Sequence, residues 1–392
     1  MTETKTRPTL SGLDVVVADG GGWQLAGRRI GLITNQTGVD RHLRSVVDLL
    51  HDTDGIELVA LFGPEHGVRG EAQAGAKVGR AVDPRTGVPV YSLYGETDRP
   101  TPDMLTGLDA LVFDIQDVGV RYATYISTMS LAQEAAAAAG LGFVILDRPN
   151  PISGDHVEGN LLDRAFMSFV GIHPIPIRHG MTAGELARLF AAERGWPEPE
   201  VVPMQGWSRA RWFDETRLPW VQPSPNLPTL DSVTLYPGTC LIEGTNISEG
   251  RGTTRPFELI GAPWLDPFAL VEELERRLLP GITFRPAYFT PTFSKHANVR
   301  CGGVQVHIVN REALRPVELG LHLLDAVRRL SGVAFAWRAR SEGGYFIDLL
   351  LGSDRPRQDL DAGAEVSEVT AGWAGQAEAF VERRQAMLLY SQ

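Results

Sequence analysis

The sequence predicts an α/β chain: a doubly wound, mostly parallel sheet followed by a second, smaller α/β domain. Three observations carry this. Apolar runs that read as strands alternate with helical periodicities through the first half. Several of those runs stop at loops that mix glycine or proline with charged residues, as α/β sheets do where they hold ligands. The second half carries a shorter mixture of strands and amphipathic helices. The sheet reads as Rossmann-like. Residues 1–228 are expected to form the first domain and residues 229–392 the second.

In chain order, residues 13–17 and 28–34 read as strands. Residues 40–52 place Leu43, Val46, Val47 and Leu50 at helical spacing. The run 56–62 is a strand leading into Gly63-Pro64-Glu65-His66-Gly67-Val68-Arg69-Gly70. Residues 70–107 form a long loop with Tyr91, Tyr94 and Glu96, functional by its length or hiding short elements. Residues 109–115 are a buried strand, 124–139 a helix ended by Gly140, and 141–146 a strand ended by Asp147-Arg148-Pro149. Thr182 and Glu185 form a capping box that opens a helix through Arg194, which gives Glu185 a plain structural task. A Trp- and Pro-rich crossing fills 203–228. Residues 232–242 and 303–309 read as strands. Asp266-Pro267 starts a helix through Leu279. Residues 316–330 and 364–390 read as amphipathic helices, the latter with Val366, Val369, Trp373, Ala377 and Phe380 on one face.

The composition, 43% hydrophobic and 22% charged, is that of a globular chain. A net charge of −11 argues against nucleic acid as the main partner, because phosphate binding needs a basic surface. Two cysteines, Cys240 and Cys301, do not make a disulfide framework. Residues 1–8 lack the apolar stretch of a secretory leader, and no run is long enough to span a membrane, so a cytoplasmic protein is expected. Without G-x-G-x-x-G or a P-loop there is no warrant for a dinucleotide or ATP, and no cofactor is expected. The nine histidines show no H-x-H, H-x-x-x-H or H-E-x-x-H spacing, so no metal is expected. There is no G-x-S-x-G elbow for a nucleophilic serine.

Four polar loops follow apolar runs: Glu65-His66 with Arg69; Asp114 to Tyr122, with Gln116 and Arg121; Asp147-Arg148; and Glu243 to Arg251, with Asn246 and Glu249. In a parallel sheet the first three share one edge, and the fourth closes the site from the second domain. Carboxylates, arginines and tyrosines together suit a polar, anionic, hydroxylated ligand such as an acidic sugar, and paired carboxylates are what glycoside hydrolysis needs. The structural alternatives are ordinary. Asp114 could cap a turn, Asp147-Arg148 could be an internal ion pair, and Tyr122 and Tyr125 could simply pack. Trp207, Trp212 and Trp220 read as core rather than a sugar platform. Arg251, set among glycines, reads as an anion contact.

The segments LFGPEHGVRG, DIQDVGVRYATYI, LDRPNPI, EGN at 158–160, PIRHGMT and EGTNISEGRGT resemble those of the exo-β-N-acetylmuramidase family of glycoside hydrolases, long filed as a domain of unknown function. The motifs run in order over nearly the whole chain. The resemblance implies release of terminal β-1,4-linked N-acetylmuramic acid from the non-reducing end of peptidoglycan fragments, during cell-wall breakdown and recycling. It implies a cleft between a Rossmann-like domain and a smaller C-terminal one. The family's motif glutamate falls on Glu65 and its neighbour on His66. Matching cleft motifs fall on Asp114, Gln116, Arg121, Tyr122, Arg178, His179, Glu243, Glu249 and Arg251. Some relatives are exported, and this chain shows no export signal.

On this reading Glu65 is the general acid and His66 positions it or contacts substrate. The second carboxylate is Glu249 first and Asp114 second, activating water or holding the acetamido group. Arg121, Arg178 or Arg251 pairs with the lactyl carboxylate. Arg69, Gln116, Tyr122, Tyr125, Asp147, His179, Asn226, Glu243 and Asn246 are the other expected substrate contacts. The rivals are a non-catalytic muropeptide-binding module and a hydrolase whose metal is held by His66, His173 or His179.

Overall fold

The computed structural model describes residues 8–20, 22–65, 67–70 and 81–391. The first half is built on β1 (Arg29–Thr34), β2 (Glu57–Gly63), β3 (Ala81–Val82), β4 (Pro89–Ser92), β5 (Ala110–Asp114) and β6 (Gly142–Leu146). After a small antiparallel pair, β7 (Glu158–Leu161) and β8 (Pro176–Arg178), comes β9 (Glu200–Val202). The main sheet has seven strands in the order β3-β4-β2-β1-β5-β6-β9, and only β3 runs antiparallel to its neighbour. β1 and β5 are almost wholly buried, which explains their unbroken apolar runs. The chain builds β2 and β4 on one side of β1, then β5, β6 and β9 on the other. The order therefore reverses between β1 and β5, and β2, β5 and β6 deliver Gly63, Asp114 and Leu146 to one edge.

The second half holds a three-stranded antiparallel sheet in the order β10-β12-β11, from β10 (Leu259–Ala262), β11 (Ile282–Phe289) and β12 (Cys301–Ile308). Helix Leu230–Thr239 crosses helix Pro316–Ser331 at Gly238 and Gly320, where a Cβ on Gly238 would lie 1.8 Å from the Pro316 carbonyl oxygen. The apolar core of this half takes in Val118, Val120, Tyr122 and Ala123 from the segment after β5. The last helix, Trp373–Arg384, returns to the first half, where Arg384 donates to the carbonyls of Gly154 and His179, each at 3.1 Å.

Several local expectations are corrected. Residues 13–17 lie in helix Gly12–Ala18, started by a capping box between Ser11 and Asp14. Residues 232–242 are not a strand. They form helix Leu230–Thr239, capped by Thr229 and Ser232, and the 3₁₀ turn Cys240–Gly244. A short apolar run does not separate buried helix from strand by period alone, and here the cap residues carried the better signal. Only Val46–His51 of 40–52 is helical, because Ser45 caps it late. The stretch 364–390 breaks at Gly372, φ +87°, into Val366–Val369 and Trp373–Arg384. The long loop does hide short elements: β3, β4 and the turn Pro102–Leu105 lie within it.

Candidate active site

β2 ends at Gly63-Pro64 and places Glu65, half-buried, at the sheet edge. Thr124 Oγ1 lies 3.5 Å from Glu65 Oε2. The Tyr94 phenol hydrogen-bonds Glu65; burial first, then the Glu65 charge, raises its pKa and keeps it protonated. Glu65 and Tyr94 line a cavity of about 320 Å³ together with Tyr122, Tyr125, Glu243 and Arg251. The site thus joins the end of β2 to the segment after helix Leu230–Thr239.

Arg251 organises the far wall. Its Nη2 lies 2.7 Å from Glu243 Oε1 and its Nε 3.3 Å from Glu249 Oε1. Lys295 Nζ stands 2.9 Å from Glu249 Oε2 and donates to the carbonyls of Ile242 (3.0 Å) and Ile247 (2.8 Å). Burial alone would lower the Arg251 pKa, but the two carboxylates override it and raise it, so this guanidinium stays charged. Ser248 pairs with Gly261 of β10, and that bridge holds the loop against the second sheet. Beyond the Glu243–Arg251 pair lies a wider cavity of about 580 Å³, also lined by Asn246, Glu249, His296 and Arg338.

The family model described as the N-terminal part of exo-beta-N-acetylmuramidase NamZ matches residues 30–231, and its C-terminal counterpart matches 234–390. The chain belongs to the exo-beta-N-acetylmuramidase NamZ family. It is 49% identical over 390 residues to the peptidoglycan beta-N-acetylmuramidase NamZ of Bacillus subtilis (strain 168), covering 99% of this chain and 93% of that one. It is also similar to two crystal structures of DUF1343 family proteins from Bacteroides fragilis. One has a TM-score of 0.90 and 38% identity, covering 98% of this chain and 99% of the other. The second has a TM-score of 0.80 and 32% identity, covering 98% and 100%.

The NamZ motifs divide between cavity and scaffold. Glu65, Tyr122, Tyr125, Glu243 and Arg251 meet at the smaller cavity, and Asn246 and Glu249 line the wider one. The two tyrosine hydroxyls are committed, Tyr122 to the Pro237 carbonyl and Tyr125 to that of Pro223, so these residues offer rings rather than hydroxyls. His66 lies outside the described residues.

The remaining expected contacts sit in the fold. Asp114 is fully buried against Arg148, whose Nη2 is 2.9 Å away. Burial raises the Asp114 pKa and Arg148 opposes the rise. The internal ion pair thus joins Arg148 to Asp114 and not to Asp147, and it removes Asp114 from the cavity. Asp147 accepts from Thr182 Oγ1 (2.7 Å), Gly184 N (2.9 Å) and Tyr390 Oη (2.6 Å), fixing a helix start and the C-terminal segment. Gln116 donates to the carbonyls of Asp117 (2.8 Å) and Pro149 (2.7 Å). Arg121 donates to those of Asn160 (2.8 Å), Ile175 (2.8 Å) and Leu350 (3.0 Å), and Arg178 to that of Ile152. Both guanidiniums are sealed and cannot meet a lactyl carboxylate. His179 is buried 3.5 Å from Asp117, Asn226 is buried beside Ser224, and Arg69 is paired with Asp83 (2.9 Å) and Asp48 (2.8 Å). His173 stacks on Phe190 at 3.6 Å and bonds Ser130 at 2.7 Å. Burial, with nearby arginines, lowers its pKa to about 3. Among the described residues no group of three or more His, Cys, Asp or Glu is placed to hold a metal ion, and no helix is long and apolar enough to cross a membrane.

Sequence reasoning missed Tyr94 as a partner of Glu65, and it missed Lys295, His296 and Arg338. One signal lay in the segment before β12, where Ser294, His296 and Asn298 all adopt positive φ (69°, 56° and 61°). Polar residues packed closely between two strands are the trace such backbone leaves in a sequence.

Proposed function

We infer that the protein is an exo-acting glycosidase that releases terminal β-1,4-linked N-acetylmuramic acid from the non-reducing end of peptidoglycan fragments. One observation carries the residue assignment. Glu65, half-buried at the end of β2, shares a cavity of about 320 Å³ with the Glu243–Arg251 ion pair. That volume lies at the low end for ligand sites, about 300–1,000 Å³, and suits one amino sugar held by its end. The 49% identity to the B. subtilis muramidase along the chain supports the reaction class.

Glu65 protonates the oxygen that leaves C1, and the C1–O bond breaks as water adds to C1. Glu243 takes the second carboxylate role ahead of Glu249. It shares the cavity with Glu65, whereas Glu249 is buried and held between Arg251 and Lys295. In the direct route Glu243 takes the proton of the attacking water; in the substrate-assisted route it holds the acetamido group whose oxygen attacks C1, and the water that then opens the cyclic intermediate returns a proton to Glu65. Residues 1–228 supply the acid and residues 229–392 the ion pair, so the working site lies in the cleft between two domains. We place the enzyme in the cytoplasm, a setting that suits its two buried, unbridged cysteines, Cys240 and Cys301. Fractionation tests that placement.

The test is Glu65→Gln on an aryl β-N-acetylmuramide and on a muramic acid–glucosamine disaccharide. Loss of a general acid costs about 10²- to 10⁴-fold in kcat, most for the poor sugar leaving group. A Gln variant as active as the parent on both substrates removes Glu65 from the acid role.

A further inference from the structure

The muramic sugar differs from glucosamine by a lactyl ether that carries a carboxylate, and two of the arginines offered for it, Arg121 and Arg178, are spent on backbone carbonyls. The wider cavity of about 580 Å³ starts at the Glu243–Arg251 pair and is therefore continuous in residues with the catalytic one. It holds three cations, Arg251, Lys295 and Arg338, against two carboxylates, Glu243 and Glu249, which leaves one positive charge in excess. The two carboxylates are already taken by Arg251 and Lys295. Lys295 is committed elsewhere: it donates to the carbonyls of Ile247 and Ile242, at 2.8 and 3.0 Å, and stands 2.9 Å from the Glu249 carboxylate as its counter-charge.

Arg338 is different. Its guanidinium faces no carboxylate among the described residues and lies over the Phe346 ring, 4.8 Å from the centroid. Its backbone is fixed, donating to the Gly244 carbonyl at 2.7 Å and accepting from Phe346 N at 2.9 Å. Gly244 follows Glu243 directly, and Phe346 itself lines the catalytic cavity. A stacked guanidinium presents its N–H edge in a rigid fork that matches a carboxylate with two hydrogen bonds.

Resting on the glycosidase reading above, we propose that Arg338 and the cavity it lines form an anion subsite that binds a carboxylate of the substrate. The carboxylate is either that of the lactyl ether itself or one on a peptide joined to it through an amide.

Wild type and Arg338→Gln are compared on three aryl glycosides. These are the N-acetylmuramide with its free lactyl acid, the methyl ester of that acid, and the muramide carrying an amide-linked acidic dipeptide. A charge-assisted contact of about 1.5–3 kcal/mol corresponds to a loss of about tenfold to a hundredfold in kcat/KM. The loss is expected mainly in KM, because the contact exists before and during reaction. Loss on the free acid with the ester unchanged assigns the lactyl carboxylate. Loss confined to the dipeptide substrate assigns the peptide. Arg338→Lys, which keeps the charge without the fork, is expected to recover part of either loss. Equal activity of Arg338→Gln on all three, or an equal loss that includes the ester, overturns the subsite. A wild type inactive on all three overturns the glycosidase reading and the Arg338 assignment with it.

Discussion

Arg251 Nη2 stands 2.7 Å from Glu243 Oε1, and this ion pair walls both the cavity that holds Glu65 and the wider cavity beside it. Arg251 also reaches Glu249 with Nε, at 3.3 Å. One planar group thus sets the spacing of two carboxylates. A lysine carries the same charge on a single point and cannot span both. Arg251→Lys is therefore expected to lower kcat/KM by about tenfold to a hundredfold, since contacts to charged groups are worth about 1.5–3 kcal/mol. Steady-state kinetics on the aryl muramide checks this. Unchanged kinetics would mean that the fork geometry is passive.

Glu185 predicts the opposite pattern, a loss of stability without a loss of chemistry. Its Oε1 lies 2.6 Å from Arg209 Nη1 and accepts from Leu389 N at 2.9 Å, while Oε2 accepts from Thr182 N at 3.0 Å. Both side chains of the ion pair are sealed from solvent. Glu185→Gln keeps the shape but leaves the Arg209 cation buried without its counter-charge. Breaking a buried pair this way costs about 3–5 kcal/mol. The denaturant midpoint should fall, with kcat per folded molecule unchanged. A variant as stable as the parent, or one that loses kcat while staying folded, contradicts the structural role.

The contrast between these glutamates shows what the sequence could carry. The capping box at Thr182 and Glu185 is local, spanning four residues, and reading it needs no tertiary knowledge. The strands β1, β2, β5 and β6 were legible because burial on both faces leaves runs with few alternatives. Arg121 and Arg178 were not legible as scaffold. Arg121 finds its carbonyl partners 39, 54 and 229 residues away, and no spacing rule reports such contacts. A guanidinium that ties down loops and one that meets a ligand look alike in a string of letters. Arg338 was missed for the same reason, since it reaches the site through a bridge between Thr245 and Trp337. Arg251 is legible as an anion contact because glycines surround it, and glycines leave an arginine little to pack against.

Glu158 joins the two halves and should make stability depend on pH. Its Oε1 accepts from Val317 N at 2.8 Å and Glu318 N at 3.1 Å, at the start of helix Pro316–Ser331. Its Oε2 is sealed and has no hydrogen-bond partner among the described residues. Burial raises its pKa to about 7, against the opposing charge of Arg178 and the two helix N–H groups. An unfolded glutamate titrates near about 4.3. Between those values the folded chain holds a proton that the unfolded chain has released, so unfolding loses a proton and stability falls as pH rises. The contribution is full below about pH 4.3 and is lost as pH climbs through about 7. Glu158→Gln keeps an oxygen for the two N–H groups and removes the titration. The Tm of wild type should therefore drop relative to that of Glu158→Gln between about pH 5 and about pH 8. Thermal melts of both proteins across that window decide it. Parallel curves would show that the carboxyl titrates alike in the folded and unfolded chains.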